Sequence, residues 1–119
     1  MNGLPDPALT WEVSVWQVAA LQSLPESERP WLLDCREEDE RAYCQIAGSD
    51  WIPLGDFSEK RLILSQSHSR GVVVYCHHGM RSLRAAMMLR EWGIVHVFSM
   101  AGGIEQWAIE IDRVMPRYG

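Results

Sequence analysis

The stretch VVVYCHHGMRS, Val72 to Ser82, decides how the rest of the chain is read. Gly71 opens it, and Val72 to Tyr75 form an apolar, β-branched run of the kind that fills a buried strand. The run breaks abruptly into Cys76, His77, His78 and Gly79, and Arg81 and Ser82 then begin a helical pattern. An apolar run ending in Cys-His-His-Gly fits three descriptions. It is a strand end feeding a reactive loop, a cluster of metal ligands, or a polar turn.

The flanking segments narrow the choice. Downstream, RSLRAAMMLREWG predicts a helix with Ala85, Leu89 and Trp92 on one stripe and Gly93 as its C′ stop. Its methionines read as core packing. IVHVFSM is a further strand, AGG a turn and IEQWAIEI a closing helix. Upstream, Ser14 followed three residues later by Gln17 is a capping-box pattern that starts the helix SVWQVAALQSL. Val15, Val18 and Ala19 share its apolar face, which stops at the polar Gln22. Pro25 and Pro30 bracket a turn before the buried strand WLLD, Trp31 to Asp34. REEDERAY reads as a helix with acids in its first turn, where the helix dipole favours them. WIPL is a short strand that Pro53 confines to an edge or a strand end, and FSEKRLILSQS is a helix. The opening NGLPDPALT reads as a loose lead-in.

Strands and helices therefore alternate, and the strands are continuously apolar. That combination predicts an α/β fold of three layers, with a central parallel sheet flanked by helices on both faces. Ligands are expected where strand carboxyl ends meet helix amino ends.

Composition sets the outer bounds. With 119 residues and 47% apolar content, residues 1–119 are expected to form a single domain with its own core. A net charge of −5 argues against nucleic acid or an anionic membrane as partner. No apolar run approaches the roughly 20 residues that span a bilayer. The amino terminus has neither a basic nor an apolar leader region, so the expected location is cytoplasmic. Cys35, Cys44 and Cys76 are an odd set with no Cys-x-x-Cys pair, which fits three thiols in a reducing compartment.

On this reading Cys76 lies at a strand end facing a helix start. Unpartnered N–H groups and the helix dipole there lower a thiol's pKa and leave a nucleophilic thiolate near neutrality. Gly79 lets the loop curl so that successive N–H groups point inward as an anion-binding nest. Arg81 either offers a bidentate cation to an oxyanion or pins the loop from outside. The plain alternative is an inert core cysteine. A zinc site at Cys76, His77 and His78 is weaker, because adjacent residues rarely converge on one ion. His77 and His78 are read as shaping the loop, and His68 and His96 as lone polar residues.

VVVYCHHGMRS resembles the active-site loop of the rhodanese-like sulfurtransferases. LLDCREEDERAYCQIAGSDWIPL is similar to that family's amino-terminal signature through Asp34, Arg36, Glu37, Ile46, Gly48, Ile52, Pro53 and Leu54. MAGGIEQW is similar to its carboxyl-terminal signature through Gly102, Gly103 and Trp107. The resemblance implies a rhodanese-like domain in which Cys76 accepts a sulfane sulfur as a persulfide. His77, His78, Gly79, Met80, Arg81 and Ser82 would surround that sulfur, with Asp34 and Arg36 as structural support. It implies a donor such as thiosulfate, an acceptor thiol or sulfur-carrier protein, and neither cofactor nor metal. The chain departs from the family where Cys35 replaces an aliphatic residue, and where Cys44 and Gln45 replace Gly-His. The tail IDRVMPRYG resembles the ends of rhodanese-like domains associated with sulfur-carrier activation. Two rivals stand beside this reading. Phosphatases or arsenate reductases of the related fold use a Cys-x5-Arg loop, whereas Cys76 and Arg81 enclose four residues. Non-catalytic binding or regulatory modules of the fold commonly lack the cysteine.

Overall fold

A computed structural model describes residues 3–66 and 68–119. Five parallel strands make one sheet: β1 (Glu12–Val13), β2 (Trp31–Asp34), β3 (Asp50–Trp51), β4 (Val72–Tyr75) and β5 (Val97–Met100). Their spatial order is β1-β5-β4-β2-β3, so the stretch that opened the sequence reading is the central strand. The helices are α1 (Val15–Gln22), α2 (Glu38–Tyr43), α3 (Arg61–Leu64), α4 (Met80–Glu91) and α5 (Gly103–Glu110).

Alternating side chains of β4 explain its unbroken apolar sequence. Val73 and Tyr75 enter one core with Val15 and Val18 of α1 and Ile104 and Trp107 of α5. Val72, Val74 and Cys76 enter the other, with Leu64 of α3 and Ala85, Ala86 and Leu89 of α4. A strand covered on both faces has no position left for a polar residue. The three-layer α/β expectation holds.

Several local readings also hold. Ser14 and Gln17 make the reciprocal capping box at α1, and Pro25 to Pro30 enclose a short 3-10 turn. Gly93 follows α4 at φ 100°. β3 forms an outer edge of the sheet and ends before Pro53.

Other expectations need correction. The lead-in is anchored: Arg90 of α4 donates to the Pro7 and Thr10 carbonyls at 2.8 Å each and lies over the Trp11 ring. It ends in β1, a two-residue edge strand paired only with β5 and too short to show a pattern. The helix expected over FSEKRLILSQS contracts to Arg61–Leu64, because residues 54–60 are taken up by a 3-10 turn and a further turn. Its last position, Ser67, lies outside the described residues, as does Asn2 of the lead-in. β5 begins at Val97 rather than Ile94, while Trp92, the C-cap of α4, is half-buried and packs against the same core cluster as Ala85 and Leu89, as the stripe predicts.

Candidate active site

β4 ends one residue before Cys76, and α4 begins at Met80 after a four-residue turn. Gly79 is the N-cap of α4, with φ 105°, a left-handed conformation that only glycine adopts cheaply. This turn folds the chain back over the cysteine. The N–H of Gly79 donates to Cys76 Sγ at 3.1 Å and that of Ser82 at 3.3 Å. Ser82 Oγ lies 3.4 Å from the same sulfur and 2.7 Å from Ser99 Oγ of β5. Ser99 is a buried polar residue inside β5, and its hydroxyl tethers the loop.

The carbonyls of the loop face the other way, toward α5. Ile104 N–H donates to the Cys76 carbonyl at 2.8 Å, and Glu105 N–H to the His77 carbonyl at 3.1 Å. Gly103 makes this approach possible, since a Cβ there would lie 2.3 Å from the His77 oxygen. The glycine pair in AGG thus lets α5 hold the Cys76 and His77 carbonyls, while the N–H groups of Gly79 and Ser82 meet the sulfur.

Cys76 is 1% exposed, yet its thiol is driven down to about 5. The largest cause is a hydrogen bond from the Cys35 thiol; the Ser82 hydroxyl and the N–H groups of Ser82 and Gly79 add to it, and burial opposes them. Cys35 shifts upward, held protonated by its bond to Cys76 and by burial. It is a small buried residue as expected, but its contact with Cys76 was not visible in the sequence.

Arg81 is paired with Glu40. Its two terminal nitrogens hold the Glu40 carboxylate at 2.6 and 2.9 Å, which ties α4 to α2. Of the two roles open to Arg81, the Glu40 contact is the geometry that pinning the loop from outside would need. Arg81 in turn holds the Glu40 carboxyl down to about 2. Tyr118, in the carboxyl-terminal tail, donates to Glu40 at 2.7 Å and accepts from Arg36 at 2.9 Å. Its ring stacks on His77, with centroids 3.9 Å apart. His78 packs on His77 from the solvent side, and Met80 is exposed at the mouth of the loop.

Asp34 and Arg36 form a fully buried ion pair behind the loop, at 2.8 Å. Arg36 also donates to the Cys44 carbonyl at 2.6 Å, and Asp34 receives Arg41 at 3.3 Å. These bonds fasten β2 to α2 and so hold Glu40 opposite Arg81. Glu40, Ser99 and Tyr118 escaped the sequence reading: Glu40 looked like one more acid in a charged helix, and Tyr118 like part of a tail. No metal-binding group of three His, Cys, Asp or Glu residues forms among the described residues.

Comparisons with known proteins converge on one family. Its sequence model, described as the rhodanese-like domain, matches residues 17–110. The thiosulfate sulfurtransferase GlpE of Actinobacillus succinogenes is 30% identical over 69% of this chain and 72% of its own length. The adenylyltransferase and sulfurtransferase MOCS3-2 of Zea mays is 33% identical over 73% of this chain, which spans only 19% of that longer protein. Among solved structures, a rhodanese-related protein from Thermoplasma volcanium superposes with a TM-score of 0.70 at 26% identity, covering 90% of this chain and 96% of that one.

Proposed function

Because the chain belongs to the rhodanese-like domain family, we propose that it is a sulfurtransferase that carries sulfane sulfur as a persulfide on Cys76. The Cys76 thiolate attacks the outer sulfur of a donor such as thiosulfate. The donor's S–S bond breaks, and sulfite leaves with the electron pair. The transferred sulfur, now a persulfide anion, rests against the inward N–H groups of the turn from His77 to Ser82. A thiol, a sulfur-carrier protein or cyanide then attacks that outer sulfur, and the Cys76 thiolate is regenerated. Residues 1–119 act together as one rhodanese-like domain, and three free thiols suit the reducing cytoplasm.

One observation supports this reading above the others: a buried sulfur receiving one backbone N–H from the four-residue turn and a second from the first turn of α4. Dispersed charge on sulfur needs few donors, whereas three phosphoryl oxygens need a wider ring and a cation facing it. Here Arg81, the only arginine in the loop, is engaged by Glu40. That arrangement disfavours phosphoryl chemistry. A purely non-catalytic module has no need to depress the Cys76 pKa.

The test is mass spectrometry of the reduced protein after incubation with thiosulfate. The expected result is one added sulfur on Cys76, removed by cyanide as thiocyanate. Hydrolysis of an aryl phosphate through Cys76 with no uptake of sulfur would overturn the proposal.

A further inference from the structure

Cys35 stands one residue beyond β2, as Cys76 stands one residue beyond β4. The two strands pair in parallel, with Asp34 opposite Tyr75, and the Cys35 N–H extends the ladder by donating to the Tyr75 carbonyl at 3.0 Å. The next pair in that register is Cys35 and Cys76. Both side chains enter the same apolar cluster between the sheet and α4, and each is 1% exposed. Both thiols are free. Paired strands run about 4.8 Å apart, inside the Cα span of roughly 4.4–6.8 Å that a disulfide bridges. Cys44 belongs to the cluster on the opposite face of the sheet, where its sulfur lies 3.9 Å from Arg36. It is shut off from Cys76 by the sheet itself.

We propose that Cys35 is a resolving thiol, which closes a disulfide with Cys76 and expels the transferred sulfur as sulfide. The inference rests on the persulfide reading above. Loop N–H groups approach Cys76 Sγ from the α4 side, so the side toward β2 is left to Cys35. Cys35 Sγ attacks Cys76 Sγ, and the bond from Cys76 Sγ to the outer sulfur breaks. The outer sulfur leaves with the electron pair and the Cys35 proton as hydrosulfide. A dithiol reductant then reopens the disulfide and restores both thiols. Over the full cycle, thiosulfate and a dithiol yield sulfite, hydrogen sulfide and the oxidised dithiol, so atoms and electrons balance.

This arrangement gives the protein a second outlet. An acceptor that reaches the outer sulfur takes it intact, and in its absence the internal thiol converts it to sulfide. Which outlet operates depends on how long the persulfide waits, because thiol–disulfide exchange is governed by access and by the thiolate fraction of the attacking group. Held protonated by Cys76 and by burial, Cys35 attacks slowly, and a prompt acceptor wins.

The experiment follows a single turnover. Reduced wild-type protein is loaded with thiosulfate, freed of donor by gel filtration without reductant, and followed by intact mass and by a sulfide assay. The expected wild-type course runs from one sulfur heavier to two hydrogens lighter than the reduced chain. One equivalent of sulfide is released, and a Cys35–Cys76 cross-link appears in the peptide map. Cys35→Val and Cys35→Ser should still take up one sulfur, more slowly because the Cys35 thiol no longer stabilises the Cys76 thiolate, and once loaded should keep the persulfide at least about tenfold longer than wild type. A wild-type persulfide as long-lived as that of the variants would overturn the proposal, as would a cross-link through Cys44. The wild-type peptide map decides the matter even if neither variant folds. If the wild-type protein takes up no sulfur at all, the persulfide reading falls first and this inference with it. That outcome is distinct from loading without resolution.

Discussion

The junction from β4 into α4 and the junction from β5 into α5 share one backbone device. Each turns on a glycine at positive φ, Gly79 at 105° and Gly102 at 78°, and neither helix has a side-chain cap. Their uses differ. At the first, N–H groups converge on a buried sulfur. At the second, the N–H groups of Ile104 and Glu105 are spent on the carbonyls of the first. The second helix end thus holds the strand-side half of the Cys76 turn, while the helix-side half supplies the N–H groups to the sulfur. The two junctions are a working turn and its template.

Removing the sulfur tests the first junction most severely. Cys76→Ser should lower sulfite release from thiosulfate by more than about a thousandfold, because a hydroxyl supplies no thiolate at neutral pH. Thermal unfolding should remain close to wild type, since the substitution keeps the volume and the inward N–H groups. Sulfur uptake surviving in Cys76→Ser but lost in Cys44→Ser would place the nucleophile at the carboxyl end of α2 instead.

The second junction is tested by its glycines. In Gly103→Ala the new Cβ would lie 2.3 Å from the His77 oxygen, at φ 62°. Helix and loop must separate, at a cost of about 3 kcal/mol, and the loop carbonyls lose their fixed direction. Gly93→Ala supplies the control. It has a similarly positive φ of 100° but meets nothing within 4 Å. It should cost about 1 kcal/mol, the left-handed penalty alone, and leave activity per folded molecule unchanged. Equal effects in chemical denaturation would mean that contact with the loop contributes nothing at Gly103.

How much of this was legible in the sequence follows contact range. The Ser14 box was readable because its partner is three residues away. The Cys76 turn was readable because strand end, glycine and helix start are consecutive. Cys35 was read correctly as small and buried, but what it touches depends on strand register, which no local pattern encodes. The same holds for Glu40 with Arg81 and for Tyr118 with His77, pairs separated by 41 residues each. β1 was missed for a different reason: two residues on an edge carry too little alternation to detect.

The clamp between Glu40 and Arg81 separates brace from binding group. If Arg81 only braces, Arg81→Ala and Glu40→Gln should reduce turnover to a similar degree, by up to about fivefold for a partly exposed ion pair worth about 1 kcal/mol. The loss should be the same with thiosulfate as with an uncharged persulfide donor. A loss confined to the anionic donor in Arg81→Ala would return Arg81 to the substrate. The clamp also sets an acid limit. Because the Glu40 carboxyl is lowered to about 2, its contribution is intact above the ordinary range near 4.5 and is lost as pH falls toward 2.

The smallest expected effect probes the hydrogen bonds on the sulfur one at a time. With the Cys76 pKa lowered to about 5, alkylation by iodoacetamide should rise as pH increases through that value and level off above it, since only the thiolate reacts. The sign follows from the donors: each stabilises the anion, so removing one moves the midpoint up. Cys35→Val removes the largest contribution, and Ser82→Ala a lesser one that leaves the Ser82 N–H in place. A neutral hydrogen bond is worth about 1 kcal/mol net, so the Ser82→Ala midpoint should rise by somewhat less than about one pH unit. Gly93→Ala should not move it. A midpoint that stays fixed in Ser82→Ala would assign the depression to Cys35 and the backbone alone, and the Ser82–Ser99 pair would then serve only to tether the turn.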